Sequence, residues 1–127
     1  MTVEDMIKQL EARKAAAAVA AARGVHKAGL LVERDAKLLC PVDTGRLRNS
    51  IHTELVLTET GGEAHVGTNV EYAAYVEYGT GQRGDPSVAH RQDWLGKPPK
   101  PYLRPAVEIN RENMARVIAA EMKKGLI

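Results

Sequence analysis

The feature that most constrains this chain is a run of helix-forming residues from Thr2 to Leu39, closed by a proline at Pro41. Val3, Ile7, Leu10, Ala17, Ala21, Val25, Ala28, Val32, Ala36 and Leu39 recur at spacings of three and four, interrupted by Lys14. That is the pattern of one apolar helix face. Thr2 stands three residues before Asp5, a capping arrangement for the helix start. Ala15–Ala18 and Ala20–Ala22 favour helix strongly but carry almost no bulk. Gly24 and Gly29 weaken the second half and mark where a kink would fall. A straight helix of this length spans roughly 55 Å, whereas a compact domain of this size has a diameter of about 36 Å. Straight, the helix overshoots its own domain and lies on a neighbouring subunit; kinked, it folds back as a hairpin. The assembly reading is the one favoured.

Pro41 stops the helix, because its ring removes a backbone donor and pushes Cys40 out of the α region. Asp43 or Thr44 then caps a short second helix. Leu47 and Ile51, four apart, give it a buried edge, with Arg46, Arg48 and Asn49 forming a basic outer edge.

Beyond this corner the periodicity changes to two. Ile51, Thr53, Leu55 and Leu57 share one side of a half-buried strand. Glu59–Glu63 is a hairpin connection built around Gly61-Gly62, and Ala64–Thr68 returns with Ala64 and Val66 inward. Two strands alone are marginal, so a third is expected from later residues or another chain. Tyr72, Tyr75 and Tyr78, spaced by three, predict a helical turn or two with a phenolic edge that packs on the sheet or forms a contact surface. Gly79–Pro101 holds four glycines and four prolines, a loop long enough to be functional or to order on a partner. Its end, Lys97–Pro101, favours polyproline II. Pro105 fits a first helical position, Val107, Met114, Val117, Ile118 and Met122 mark the apolar side of a closing helix, and Lys123, Lys124 and Gly125 signal its end. The fold class is therefore α+β: a long N-terminal helix, a small antiparallel sheet with a long Gly/Pro-rich loop, and a C-terminal helix. All 127 residues are read as a single domain in three segments, 1–39, 40–98 and 99–127.

Composition narrows the function. The hydrophobic share of 44% is inflated by alanine, with no Phe and one Trp, so a deep core is hard to build. A net charge of +2 is too small to announce a nucleic-acid binder. One cysteine excludes an intrachain disulfide. No stretch of about 20 consecutive apolar residues and no signal-peptide core is present, so a soluble, unexported protein is expected. Basic side chains outnumber acidic ones in residues 1–39 and 99–127, and acidic ones prevail between, which favours head-to-tail contact between copies.

Each candidate chemistry meets an obstacle. Asp43-Thr44-Gly45 matches the aspartic-protease triplet, but it follows a helix, and Arg46 beside it would hold the carboxylate ionised. Gly79–Gly84 has G-x-G-x-x-G spacing without the strand before it or the helix after it that a dinucleotide site needs. His26, His52, His65 and His90 lack metal-ligand spacing, and Cys40 has no partner signature. Trp94, near Arg91 and Lys97, would stack on a base or fill a neighbour's pocket. The expectation is no enzyme, no cofactor and no metal.

Four blocks occur in order: Pro41-Val42-Asp43-Thr44-Gly45-Arg46-Leu47-Arg48-Asn49-Ser50-Ile51, Val66-Gly67-Thr68-Asn69, Tyr72-Ala73-Ala74-Tyr75-Val76-Glu77-Tyr78-Gly79-Thr80 and Pro101-Tyr102-Leu103-Arg104-Pro105-Ala106. Together they resemble the tail-component family of lambdoid and related siphophages (the gp-ten type), grouped with neck and tail-completion proteins. The resemblance covers roughly Pro41 to the C-terminus, and the N-terminal helix matches only in kind. It implies a virion protein made in the bacterial cytoplasm, an α+β subunit of a ring, commonly a hexamer, at the head–tail junction or tail top. Its partners would be further copies of itself, head-connector proteins and tail-tube or tail-terminator proteins, with DNA passing through the channel and no membrane. Arg46–Arg48 and Tyr72–Thr80 would shape the fold, while the N-terminal helix and the loop, with Gln82, Arg83, Arg91 and Trp94, would contact neighbours. Two other readings stand beside it: a prophage nucleic-acid-binding module using Arg46, Arg48, Arg83, Arg91 and Trp94, and a dimeric protease using Asp43.

Overall fold

Thr2 and Asp5 open the first helix by reciprocal hydrogen bonds, Asp5 N–H donating to Thr2 Oγ1 and Thr2 N–H to Asp5 Oδ2, both at 3.1 Å. These bonds hold the Asp5 carboxyl below its ordinary range. From this start α1 runs unbroken over Val3–Leu39. The structure is a computed structural model that describes residues 1–41, 45–87 and 95–126. After α1 come α2 (Arg46–Ser50), β1 (His52–Thr58), β2 (Gly61–Gly67), α3 (Ala73–Tyr78), a 3-10 turn at Gly81–Arg83 and α4 (Leu103–Leu126). The α+β class predicted from periodicity is the one observed.

The chain groups into two compact units: Met1–Leu31 with Thr53–His65 and Asn110–Ile127, and Val32–His52 with Val66–Ile109. In the first unit glycine and alanine set how closely the elements approach. A Cβ on Gly24 would lie 2.8 Å from the Ile118 Cα, and one on Gly125 would overlap the Ala20 methyl. Gly24 is thus a point of close contact, and α4 continues through Gly125, expected as a stop. The hairpin shows the same substitution of packing for turning. Its turn falls on Glu59-Thr60, while Gly61 and Gly62 open β2. A Cβ on Gly61 would meet the Ala21 methyl at 3.0 Å, and one on Gly62 would meet Leu55 Cδ1 at 3.0 Å. β1 and β2 form a two-stranded sheet, and the expected third strand is not found among the described residues. Helix α1 backs the hairpin instead, with Thr53 Oγ1 donating to the Gly29 carbonyl at 3.3 Å.

Strand alternation holds at Thr53, Leu55 and Ala64, half-buried between exposed neighbours, and Val66 is half-buried as well. Leu57 departs from it at 72% exposed. On α4 the inward face runs through Ala106, Asn110, Met114, Val117, Ile118, Glu121 and Met122. Val107, expected on that face, is exposed, and Asn110 and Glu121 are buried there instead. Lys27 pairs with Glu121, and Lys124 Nζ and Arg23 Nη1 lie 3.4 and 4.0 Å from it. The Lys27 hydrogen bond outweighs burial and holds the Glu121 carboxyl below its usual range.

The core is as thin as the composition predicts. Its buried apolar residues include Ala20, Ala22, Ala28 and Ala36, and the largest wholly buried side chains are Tyr102, Ile51 and Asn110. By length and composition alone α1 contains a stretch apolar enough to cross a membrane, but 33% of that stretch is buried inside the protein. Ala18, Ala21 and Ala22 of α1 meet the hairpin glycines, and Ala16 and Ala20 meet Gly125 of α4.

Candidate functional site

All four sequence blocks fall in the second unit, Val32–His52 with Val66–Ile109. Pro41 does end α1, whose last turn closes with Cys40 N–H donating to the Ala36 carbonyl at 2.9 Å. Cys40 is buried; burial pushes its thiol up despite the opposing pull of Arg48. The cap position of α2 is Gly45, left-handed at φ 79° and without a side-chain cap bond. The caps expected from Asp43 and Thr44 fall on residues outside those described. A left-handed backbone at this position suits glycine because a Cβ would be strained there.

Leu47 and Ile51 are buried, as their spacing predicts, and Arg46 and Asn49 are exposed. Arg48 does not join the basic outer edge. It is half-buried, its Nε enclosed with no hydrogen-bond partner among the described residues. Standing three before Ile51 on so short a helix, it shares the buried side.

The second block joins the corner through a directed chain of hydrogen bonds. Val70 N–H donates to Thr68 Oγ1 at 3.1 Å, the Thr68 hydroxyl meets Ser50 Oγ, and Ser50 Oγ donates to the Leu47 carbonyl at 2.7 Å. Gly67 precedes this chain with open space around its α-carbon. On the surface, Arg46 pairs with Glu71 at 3.3 and 3.4 Å and lies over the Tyr72 ring, 5.6 Å from its centroid. A backbone N–H first and Arg46 second lower the Glu71 carboxyl. Both partners are exposed, so the pair orients more than it stabilises.

The third and fourth blocks meet at Glu77. This carboxylate, 7% exposed, accepts from the backbone N–H groups of Tyr102 at 2.8 Å, Leu103 at 3.1 Å and Arg104 at 3.1 Å. A helix start leaves four such donors without intrahelical partners, and its positive dipole end favours an anion. Helix α4 therefore begins at Leu103, two residues before Pro105, because α3 supplies its cap from outside. Pro105, next in line, has no N–H to satisfy. Beside the cap the Tyr102 ring is wholly buried, its hydroxyl without a partner among the described residues. Burial and then the Glu77 charge push this phenol up to about 12.

The long loop has a stitched stem. Thr80 N–H donates to the Lys97 carbonyl at 2.8 Å, Lys97 N–H to Thr80 Oγ1 at 2.9 Å, Arg83 N–H to the Leu95 carbonyl at 3.0 Å, and Lys100 N–H to the Val76 carbonyl at 2.8 Å. Gly79 and Gly96 lie where the two sides of the stem run closest. A Cβ on Gly79 would come 2.7 Å from the Lys97 carbonyl oxygen, and one on Gly96 would collide with the Thr80 backbone. Gly81–Arg83 is a 3-10 turn and not the start of a long helix, which removes the phosphate-cradle geometry from the glycine pattern. Gln82 and Arg83 are exposed at the stem; Arg91 and Trp94 lie outside the described residues.

The structure thus brings Pro41, Gly45, Leu47, Arg48, Ser50, Ile51, Gly67, Tyr72, Ala73, Val76, Glu77, Gly79, Thr80, Pro101, Leu103, Arg104 and Pro105 into one unit. Their interactions are caps, stitches and packing. Among the described residues no group of three or more His, Cys, Asp or Glu converges on a metal position. His52 Nδ1 lies 2.9 Å from the Ser50 carbonyl and His65 Nε2 lies 3.4 Å from Glu63. The task of Glu77 was not legible from its own neighbours. A signal existed at its target: α4 starts after Pro101-Tyr102, where no Ser, Thr, Asp or Asn stands to cap it.

Residues 4–79 match the model of the family described as "Bacteriophage HK97-gp10, putative tail-component". The match takes in most of α1, which the resemblance had touched only in kind, and ends before the Pro101–Ala106 block. No curated protein matches the chain, and no solved structure does.

Proposed function

Because the chain belongs to the HK97-gp10 tail-component family of bacteriophages, and is a phage tail-associated structural protein, we propose that it is a ring-forming neck or tail-completion subunit. In this reading, copies of the chain form a ring, a hexamer by the family resemblance. One face of the ring meets the head connector, the other meets the tail tube or terminator, and the DNA exit channel runs through it. The work is mechanical. The observation that carries the reading is that the family blocks in the second unit serve to hold one another, through the Glu77 cap, the Ser50–Thr68 link and the loop stem. A compact unit with exposed Arg46, Tyr75, Gln82 and Arg83 on its surface suits a subunit recognised by its neighbours.

Electron microscopy of lysates from a phage with this gene disrupted tests the reading. Full heads and separate tails accumulating unjoined are the expected result. Malformed or missing tails would move the protein into tail assembly, and normal infectious particles would overturn a structural role.

A further inference from the structure

The first turns of α1 carry an apolar stripe that nothing among the described residues covers. Val3, Met6, Ile7 and Leu10 are 70%, 51%, 48% and 64% exposed. At spacings of three, four and seven they share one face. Beyond Lys14 that same face continues as Ala17, Ala21, Gly24 and Ala28, passing from half-buried to buried beneath the hairpin and α4. A face that is core in one half of a helix is therefore surface in the other, and it bears its largest side chains where it is surface.

On another side of α1, roughly 160° around the helix, lies an open groove of about 340 Å³ lined by Ala15, Ala16, Val19, Ala20, Arg23 and Gly125. The two features complement each other. The stripe offers large apolar side chains and the groove small ones. The stripe begins in an acidic turn, with Glu4 and Asp5; the groove holds Arg23, and α4 ends there in Lys123 and Lys124. Arg23 remains 55% exposed although Glu121 lies 4.0 Å away.

We infer that the Val3–Leu10 stripe of one copy docks in the α1/α4 groove of a second copy of this chain. Stripe and groove are different surfaces, displaced along α1 by about 18 Å between their centres. Made without a reciprocal second contact between the same two copies, it is heterologous, and its repetition closes a ring or extends a filament. The inference rests on the ring reading above and names the surfaces that make the ring.

The test uses full-length protein with buried Cys40 left in place. Ile7→Cys protein is mixed with Ala16→Cys or Val19→Cys protein, oxidised mildly, and the crosslinked peptides are identified by mass spectrometry. Sedimentation of the unmodified chain is measured alongside. Disulfides between position 7 of one copy and position 16 or 19 of another are expected. Links only between two copies of position 7 would overturn the groove as the partner. Multimers without either link would overturn the inference and leave the ring reading standing, whereas a chain monomeric at every concentration reached would count against both. Leu10→Glu, at an exposed position, is expected to keep its helix signal in circular dichroism and to weaken self-association at least about tenfold. Unchanged association would overturn the contact.

Discussion

Glu77 shows how much one side chain can organise. Its carboxylate satisfies three backbone donors at the start of α4 from a helix some 25 residues away in sequence. Glu77→Ala leaves those donors short of partners and removes the anion from the dipole's positive end, a loss of about 2–3 kcal/mol in urea unfolding. Glu77→Gln, which keeps an acceptor of similar reach but no charge, should lose about half as much. Equal losses for both would mean that the negative charge carries the whole effect. This residue also marks a boundary of sequence reading. Leu47 and Ile51 were legible because their partners lie within one helical turn, and Glu77 was not because its partner lies on another element. Arg48 was misplaced for a related reason: its charge suggested solvent, but its position three before Ile51 put it on the buried side.

At the scale of elements, the helices were legible and their glycines were not. Spacings of three and four, the Thr2–Asp5 cap and Pro41 define α1 nearly to its ends, since all are local signals. Gly24, Gly61, Gly62 and Gly125 suggested a kink, a turn and a stop because those are the local uses of glycine. Each lets another element come close, which depends on residues far along the chain. Gly24→Ala separates the two kinds of argument. Helix propensity alone predicts a gain of about 1 kcal/mol. The 2.8 Å approach of the new Cβ to the Ile118 backbone predicts overpacking that costs about 1–3 kcal/mol. We expect net destabilisation, read as a lower melting temperature; a higher one would show that the α1–α4 contact can open without cost.

For the molecule as a whole, acid sensitivity follows from the buried carboxylate of the first unit. Glu121 titrates below its ordinary value of 4.5 because Lys27 and Lys124 hold it ionised in the folded state. Its contribution is full above that ordinary value and is lost as pH falls through the lowered folded one. Stability should therefore decline as pH drops below about 4.5, and Glu121→Gln should flatten that part of the profile in denaturant titrations at several pH values. An unchanged acid limb would assign the decline to other groups, Asp5 and Glu71 among them. The family and its structural character were legible at this scale because several weak blocks occur in a fixed order. Which part of the N-terminal helix stays uncovered was not, because it depends on what packs against it after folding.

The uncovered start of α1 also bears on when the protein is vulnerable. Lys8, Arg13 and Lys14 lie exposed along it, and every residue from Val3 to Lys14 is exposed. Helical segments without tertiary support fray readily. A free copy is therefore open to tryptic clipping in its first turns, while a copy seated against a neighbour is shielded. Degradation by host proteases would then fall on surplus subunits and spare those already built into particles, so that turnover itself helps match supply to demand.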